Sequence, residues 1–149
     1  MRTDPLASRD ERRLVKHINK EIGVYLDTIA DKRFDRVIGT SGTILSLGAL
    51  ALSEDGVVRD DALRNRRVSG KAIHRLRKRL SGADLETRLH MDGLDPRRAD
   101  IAVAGSVLLD SVLRRLGADE ITLCDLALRE GLVLDYIHRN TATIRKIDS

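Results

Sequence analysis

The sequence has 149 residues, enough for one domain or for part of a larger one. Hydrophobic residues make up 42% and charged residues 34% of the chain, a balance that excludes an intrinsically disordered protein and predicts a packed core. Aromatic residues make up only 2% and the formal net charge is +4, so we do not expect a nucleic-acid binder that stacks bases on aromatic rings.

Cys124 is the single cysteine, which excludes a disulfide within the chain and a cysteine-based zinc cluster. A lone cysteine is typical of a reducing compartment. The first residues are polar and unlike a signal peptide, and no apolar run approaches the length of a membrane span. We therefore expect a cytoplasmic protein with no membrane partner.

The first predicted element is a long helix from Ser8 to about Ala30. Ser8 and Glu11 have the spacing of a capping box, in which each side chain bonds the backbone N–H of the other residue. Apolar residues recur behind this cap at helical spacing, so one face of the helix is expected to face the core. These residues are Leu14, Ile18, Ile22, Tyr25 and Ile29.

A short buried strand is predicted from Phe34 to Gly39, followed by a glycine-rich turn and an apolar helix. A strand that enters a helix through such a turn aims several free backbone N–H groups at one point, with the positive end of the helix dipole behind them. That geometry suits a phosphate group, and a purely structural turn is the alternative. The turn consists of Gly39, Thr40, Ser41, Gly42 and Thr43.

The next stretch is polar and includes the adjacent carboxylates Asp60 and Asp61, which we interpret as an N-cap and a first-turn acid rather than a metal site. Ser69 then caps a helix that has apolar residues on one side and a dense basic face on the other. Such a face is typical of a solvated helix, and binding of a polyanion is the alternative. Its basic residues are Arg75, Arg77, Lys78 and Arg79.

A second strand-to-helix turn is predicted further along the chain. Asp95 and Pro96 fit the N-cap and the first position of a short helical turn. The continuous apolar run from Ile101 to Ala104 is typical of a strand that is covered on both faces. This predicts a glycine turn at Gly105 and Ser106, where the strand would enter the next helix.

That helix is expected to end at Gly117, and a third short strand at the edge of the sheet to run from Glu120 to Cys124. A last helix is predicted from about Ala127 to His138, and residues 141–149 resemble the start of a linker. Strands and helices therefore alternate, which indicates an α/β fold, rich in helix, with about three short strands. Ligands of open α/β sheets bind at the carboxyl ends of the strands, where both glycine turns are expected.

Three known motifs do not fit the first turn. A nucleophile elbow needs Gly-x-Ser-x-Gly around Ser41, but Thr43 stands at the last position and no triad partner is legible. A Walker A loop needs a lysine that is absent here, and the glycine spacing is not that of a dinucleotide fingerprint. What remains is an anion cradle of backbone N–H groups and hydroxyls.

Three segments of the chain form an ordered set: Val37-Ile-Gly-Thr-Ser-Gly-Thr-Ile44, Arg98-Ala-Asp-Ile-Ala-Val-Ala-Gly105 and Leu128-Arg-Glu-Gly-Leu-Val133. In that order they resemble the exopolyphosphatase/guanosine pentaphosphate phosphatase (Ppx/GppA) family. The opening Asp4-Pro-Leu6 and the helix after it are similar to the second domain of the same family. The likeness covers nearly the whole chain, and it is specific in the order of the segments rather than in any one of them.

The resemblance implies a partial ribonuclease-H-like domain of the actin/Hsp70/sugar-kinase superfamily, with residues 1–140 forming the carboxyl-terminal portion of the second family domain. Members of the family hydrolyse terminal phosphate from inorganic polyphosphate or guanosine pentaphosphate with Mg²⁺. The resemblance implies phosphate contacts from the turn, from Arg98 and from Gly105 and Ser106. It assigns no catalytic or metal-binding residue to this chain, and we interpret the charges of Arg129 and Glu130 as structural.

The resemblance also indicates elements without a counterpart in the sequence. They are the family's first domain, which supplies the catalytic glutamate, and the Asp-x-Gly-Gly-Gly-Ser loop that begins its second domain. We therefore expect a fragment that is inactive alone and exposes apolar surface, through which it contacts the missing first domain or forms a homodimer. Two alternatives stay open: a non-catalytic actin-like binding or regulatory module, and a weak nucleic-acid binder acting through the basic helix.

Overall fold

The structure is a computed structural model that describes residues 4–54, 56 and 63–144, with side chains to residue 140. The described part of the chain folds into six α-helices, three short strands and one 3-10 turn. The pair Asp60 and Asp61 lies outside the described residues. In chain order the elements are α1 (Ser8–Asp31), β1 (Ile38–Gly39), α2 (Gly42–Glu54), β2 (Arg67–Ser69), α3 (Gly70–Gly82), α4 (Leu85–Leu89), the 3-10 turn (Pro96–Arg98), α5 (Ala102–Leu116), β3 (Glu120–Leu123) and α6 (Leu128–Ile144).

The three strands form one mixed sheet in the order β1-β3-β2. β1, which is shorter than expected, is parallel to β3 with Ile38 opposite Thr122, and β2 is antiparallel to β3 with Val68 opposite Ile121. β3 is therefore the central strand, and the expectation that it lies at the edge is wrong. Its partner β2 was not predicted from the sequence, because its single buried residue lies between two exposed polar residues and gives no hydrophobic pattern.

The apolar run from Ile101 to Ala104 is not a strand, because α5 begins at Ala102. The second strand-to-helix turn expected at Gly105 and Ser106 is therefore wrong, and both residues lie inside the helix. Four consecutive apolar residues do not distinguish a buried strand from a buried helix. Here burial continues at helical spacing, through Ser106, Val107, Asp110 and Leu113.

Two of the predicted helix ends, at Ser69 and Gly117, follow the sequence signals. Ser69 caps α3 through a 3.1 Å hydrogen bond from the backbone N–H three residues later, and Gly117 ends α5 in the left-handed conformation with φ of 65°. The capping box is wrong, because α1 begins at Ser8 itself and has no side-chain cap. Glu11 accepts a hydrogen bond of 2.9 Å from Arg77 instead.

α5 is the central helix of the fold and packs against α1, α3 and α2. The core is aliphatic, as the scarcity of aromatic residues predicts. α2 lies between the sheet and α5, so its start is held by both. The largest fully buried apolar side chains are Leu47, Leu50, Ile73, Leu76, Leu80, Leu113, Ile121 and Leu123.

α6 is the least buried helix of the described chain. It runs to Ile144, through the position at which a linker was expected to begin. Its apolar side chains are exposed, and Leu128 keeps 78% of its surface in contact with solvent. No helix in the described ranges is long and apolar enough to cross a membrane.

A polar network joins α1, α3 and α5. Asp110 of α5 is 1% exposed; Arg77 Nη1 donates to its carboxylate, and His74 Nδ1 lies 3.2 Å from both carboxylate oxygens. Arg77 Nε donates to Glu11 of α1. Arg77 was expected to face solvent, but it turns inward because a buried carboxylate needs a charged partner.

We predict that Asp110→Asn lowers the free energy of unfolding by about 2–3 kcal/mol, because Arg77 loses a buried counterion. The loss stays below the range for a fully buried pair because Glu11 still pairs with the guanidinium. Urea denaturation followed by circular dichroism measures it. The matched control is Asp27→Asn, which removes an exposed partner of Arg115 at 2.7 Å and is expected to change stability by less than about 1 kcal/mol. Equal losses of unfolding free energy in the two variants would contradict a special contribution of Asp110 to stability.

Candidate functional site

The predicted strand–turn–helix at the carboxyl end of β1 is confirmed. β1 ends at Gly39 and α2 begins at Gly42, so the chain passes through the two exposed residues Thr40 and Ser41. Ser41 caps α2, because its Oγ accepts the backbone N–H of Ile44 at 3.2 Å. The serine hydroxyl therefore stabilises the start of the helix, which agrees with its rejection as a nucleophile.

Two backbone donors are open at the start of α2. Within the described residues, the N–H groups of Gly42 and Thr43 have no acceptor. Both belong to the first turn of a 13-residue helix, where the first N–H groups lack intrahelical partners and the helix dipole is positive. These two donors can bind the oxygens of an anion.

The Arg98 guanidinium lies directly against the turn. Its Nη1 and Nη2 are each 2.6 Å from the position that a Cβ on Gly42 would occupy. Any side chain at position 42 would displace the guanidinium, so this close approach requires glycine. Arg98 ends the 3-10 turn, its side chain is 35% exposed, and its Nε is 3.8 Å from Asp95 Oδ2. The fold thus brings a cation and two open N–H groups to one point.

Gly105 lies beside the start of α2, whereas its neighbour Ser106 does not reach it. A Cβ on Gly105 would lie 2.8 Å from Thr43 Cγ2, so the glycine allows α5 to pack against the first turn of α2. Ser106 is fully buried, and its Oγ donates to the Val103 carbonyl of its own helix at 2.8 Å. The structure therefore brings Gly105 to the turn and leaves Ser106 in the core.

Arg88 is a residue of this region that the sequence reasoning missed. It is 3% exposed, its Nε donates to the carbonyl of Ala99 at 3.0 Å, and its Nη2 donates to Asp4 Oδ1 at 2.8 Å. Because Ala99 directly follows Arg98, the buried guanidinium fixes the backbone that carries the exposed one. No local pattern marks Arg88, since an arginine on a short helix is usually expected to face solvent.

Groups that hold metals or perform redox chemistry are scarce around the site. No cluster of three or more His, Cys, Asp or Glu with metal-binding geometry occurs among the described residues. Asp95 is engaged by Arg97, whose hydrogen bond lowers the pKa of that carboxyl. Cys124 is partly buried, with its Sγ 3.5 Å from the Leu126 carbonyl.

Glu130 has a structural role at the start of α6, as its interpretation from the sequence proposed. Its carboxylate accepts the backbone N–H of Ala127 at 2.9 Å and the Nε of Arg129 at 2.8 Å. The backbone hydrogen bond and then the arginine lower the pKa of Glu130 to about 2. Both charges are thereby used to begin the helix.

A model of the Ppx/GppA phosphatase family matches residues 1–140. The chain belongs to the Ppx/GppA phosphatase family. The match includes the turn, Arg98 and Gly105, so the residues that meet in the structure all lie within the family region. It confirms the resemblance drawn from the three ordered segments.

Two relatives carry the names of the two activities of the family. A guanosine-5'-triphosphate,3'-diphosphate pyrophosphatase of Vibrio parahaemolyticus is 28% identical over 147 residues, which are 97% of this chain and 28% of that protein. Exopolyphosphatase 1 of Mycobacterium leprae is 30% identical over 115 residues, which are 77% of this chain and 30% of that protein. The chain thus spans less than a third of either relative.

Solved structures of Ppx/GppA proteins share the fold of this chain. An exopolyphosphatase of Cytophaga hutchinsonii matches 91% of the chain with a TM-score of 0.79 at 24% identity, and the Aquifex aeolicus family member matches 94% with a TM-score of 0.77 at 21% identity. The match covers 44% of each of those chains. The expected fold class, a helix-rich partial domain with three short strands, is confirmed.

We predict that Arg88→Lys lowers the free energy of unfolding of this Ppx/GppA chain by about 1–3 kcal/mol, because an ammonium group does not reproduce the planar set of guanidinium donors and leaves a buried carbonyl unpaired. Thermal and urea unfolding measure the loss. Arg97→Lys, at a position where the side chain is 89% exposed, is the matched control and is expected to stay within about 0.5 kcal/mol of the parent. An unchanged free energy of unfolding in Arg88→Lys would contradict the role of Arg88 in positioning the backbone beside Arg98.

We also predict that Glu130 stays ionised until the pH approaches 2, well below its ordinary value of 4.5. Because the pKa is lowered in the folded chain, this carboxylate stabilises the fold above about pH 4.5, and that contribution is lost as the pH falls toward 2. The ¹³C shift of the carboxyl carbon reports the titration. Arg129→Ala is expected to keep most of the shift, since the backbone hydrogen bond is the larger cause. A midpoint near 4.5 in the parent chain would contradict the capping geometry.

Proposed function

We propose that this chain supplies the phosphate-binding wall of a phosphatase that removes terminal phosphate from inorganic polyphosphate or guanosine pentaphosphate. The observation that carries the proposal is the contact between the Arg98 guanidinium and Gly42 at the open start of α2. Family membership supports the phosphatase class. The names of the two relatives support the two candidate substrates.

The hydrogen-bond donors at the turn are of the kinds that bind phosphate in proteins. The guanidinium of Arg98 has donors in a planar fork that match two phosphate oxygens, and the N–H groups of Gly42 and Thr43 add fixed donors beside it. The helix dipole favours negative charge at the same place. In this proposal Arg98 and the turn bind and orient a phosphate group, and Gly105 contributes by allowing α5 to pack beside Thr43.

Both candidate substrates end in a run of linked phosphate groups, so one site can serve either. Of the residues first implied as phosphate contacts, Thr40 and Thr43 are proposed as secondary hydroxyl donors, and Ser41 as the cap that keeps the start of the helix in place. Gly39 is buried behind the turn. Ser106 is left out of the proposal because its hydroxyl is satisfied inside α5.

Mg²⁺, which the family resemblance implies, does not fit the described residues. One or two carboxylates are the usual protein contribution to such a site, and Asp95 beside the turn already pairs with Arg97 and Arg98. We therefore assign no metal ligand to this chain. Its described residues act by hydrogen bonding and charge.

Titration calorimetry with tripolyphosphate tests the proposal. Gly42→Asp places a carboxylate against the Arg98 guanidinium, where it competes with phosphate, and we expect affinity to fall at least about tenfold, the equivalent of roughly 1.4 kcal/mol. Gly82→Asp is the matched control, because the same substitution there meets open space at the end of α3. We expect it to bind like the parent chain. Phosphate release measured in the same samples separates binding from hydrolysis.

Arg98→Lys is a second variant for the same titration. It keeps the charge but loses the fork of two donors, so we expect weaker binding than in the parent chain. Unchanged affinity in both Gly42→Asp and Arg98→Lys would remove the turn from the phosphate site. Circular dichroism of each variant verifies that the fold is retained.

A further inference from the structure

A strongly basic surface lies on the side of α5 opposite the turn. Arg114 follows Gly105 by nine residues, which is two and a half turns of a helix with about 3.6 residues per turn, so the two residues point in opposite directions. Arg114 lines two grooves, one of about 710 Å³ between α1 and α5 and one of about 870 Å³ between α3 and α5. We call their joined surface the basic groove.

The charge of the basic groove is concentrated. Its lining includes seven arginine or lysine side chains and three carboxylates, an excess of four, which equals the formal net charge of the whole chain. Two of the three carboxylates, Glu11 and Asp110, both pair with Arg77, and these three groups together carry a formal charge of −1. Arg115 pairs with Asp27 at 2.7 Å, outside the lining. The charge that the groove presents to solvent is carried mainly by Arg12, Lys16, Lys71 and Arg114, all of them exposed.

The arrangement of these cations is regular. Arg12 and Lys16 on α1 and Lys71 and Arg75 on α3 are i,i+4 pairs, so each pair occupies one helix face, and Arg114 belongs to both grooves. Among the described residues, no carboxylate lies within ion-pair distance of Arg12, Lys16, Lys71 or Arg114. Like charges at this spacing repel one another, and a bound polyanion would relieve the repulsion.

We propose that the basic groove is a second binding site, separate from the turn, and that it takes inorganic polyphosphate. The choice of substrate class rests on the proposed function. Polyphosphate carries closely spaced negative charges and has no bases, and the groove offers lysine and arginine side chains with no Phe, Tyr or Trp in its described lining. Single-stranded nucleic acid would need stacking platforms, which the groove lacks.

Long-chain polyphosphate and tripolyphosphate are titrated into the 149-residue chain at two salt concentrations. The double variant Lys71→Ala/Arg114→Ala is expected to bind long-chain polyphosphate about tenfold more weakly at low salt and to lose part of the salt dependence, because fewer counterions are released. It is expected to bind tripolyphosphate normally. Lys32→Ala/Arg36→Ala removes the same charge from exposed positions outside the groove and is the control.

The two ligands separate the two proposals. Gly42→Asp is expected to lose tripolyphosphate and keep most of its long-chain affinity. Failure of the parent chain to bind tripolyphosphate would overturn the proposed function, while the long-chain titration would still report on the groove. Equal long-chain affinity in the groove variant and its control would overturn the second site. Tighter binding of single-stranded RNA than of polyphosphate, lost in the groove variant, would assign the groove to nucleic acid instead and overturn its assignment here.

Discussion

The pairing of the buried Asp110 carboxylate with Arg77 is the interaction on which the helical arrangement depends. A carboxylate with 1% exposure loses its hydration and needs a cation and hydrogen-bond donors in place of water. Arg77 reaches it from α3 and holds Glu11 of α1 with another nitrogen. This pairing and the buried apolar residues Val107 and Leu113 together orient α5 about its own axis. In that orientation Gly105 faces α2 and Arg114 faces the grooves.

The second constraint is steric: at Gly42 and Gly105, the absence of a side chain lets neighbouring groups approach closely. Gly105 lets α5 approach Thr43, and Gly42 lets the Arg98 guanidinium lie on the first turn of α2. A glycine inside a helix destabilises it by about 1 kcal/mol relative to alanine, so Gly105 within α5 indicates that close approach matters there. Arg88 completes the arrangement by holding the carbonyl that follows Arg98. The open donors are thus placed by groups that are themselves buried and hydrogen-bonded.

Features that depend on a few neighbouring residues were predictable from the sequence. The turn that begins at Gly39 and the cap at Ser69 are examples, because glycine and serine act on the backbone beside them. Features that depend on distant contacts were not. β2 has a single buried residue, and the run before Gly105 was ambiguous between strand and helix until its packing against α2 was known. The proximity of Arg98 to the turn came from the family resemblance, since no spacing rule joins the two segments.

The two basic surfaces differ in how their charge is held, and this difference determines what each can recognise. At the turn, the donors are backbone N–H groups, whose directions the helix sets before any ligand arrives, and a guanidinium that lies against Gly42. Preorganised donors discriminate by geometry and lose little entropy on binding. In the basic groove, the cations are exposed side chains such as Lys16 and Lys71, which must be immobilised by the ligand. Such a surface attracts charge over distance and weakens with salt, so it suits the retention of a long polyanion rather than the selection of its end.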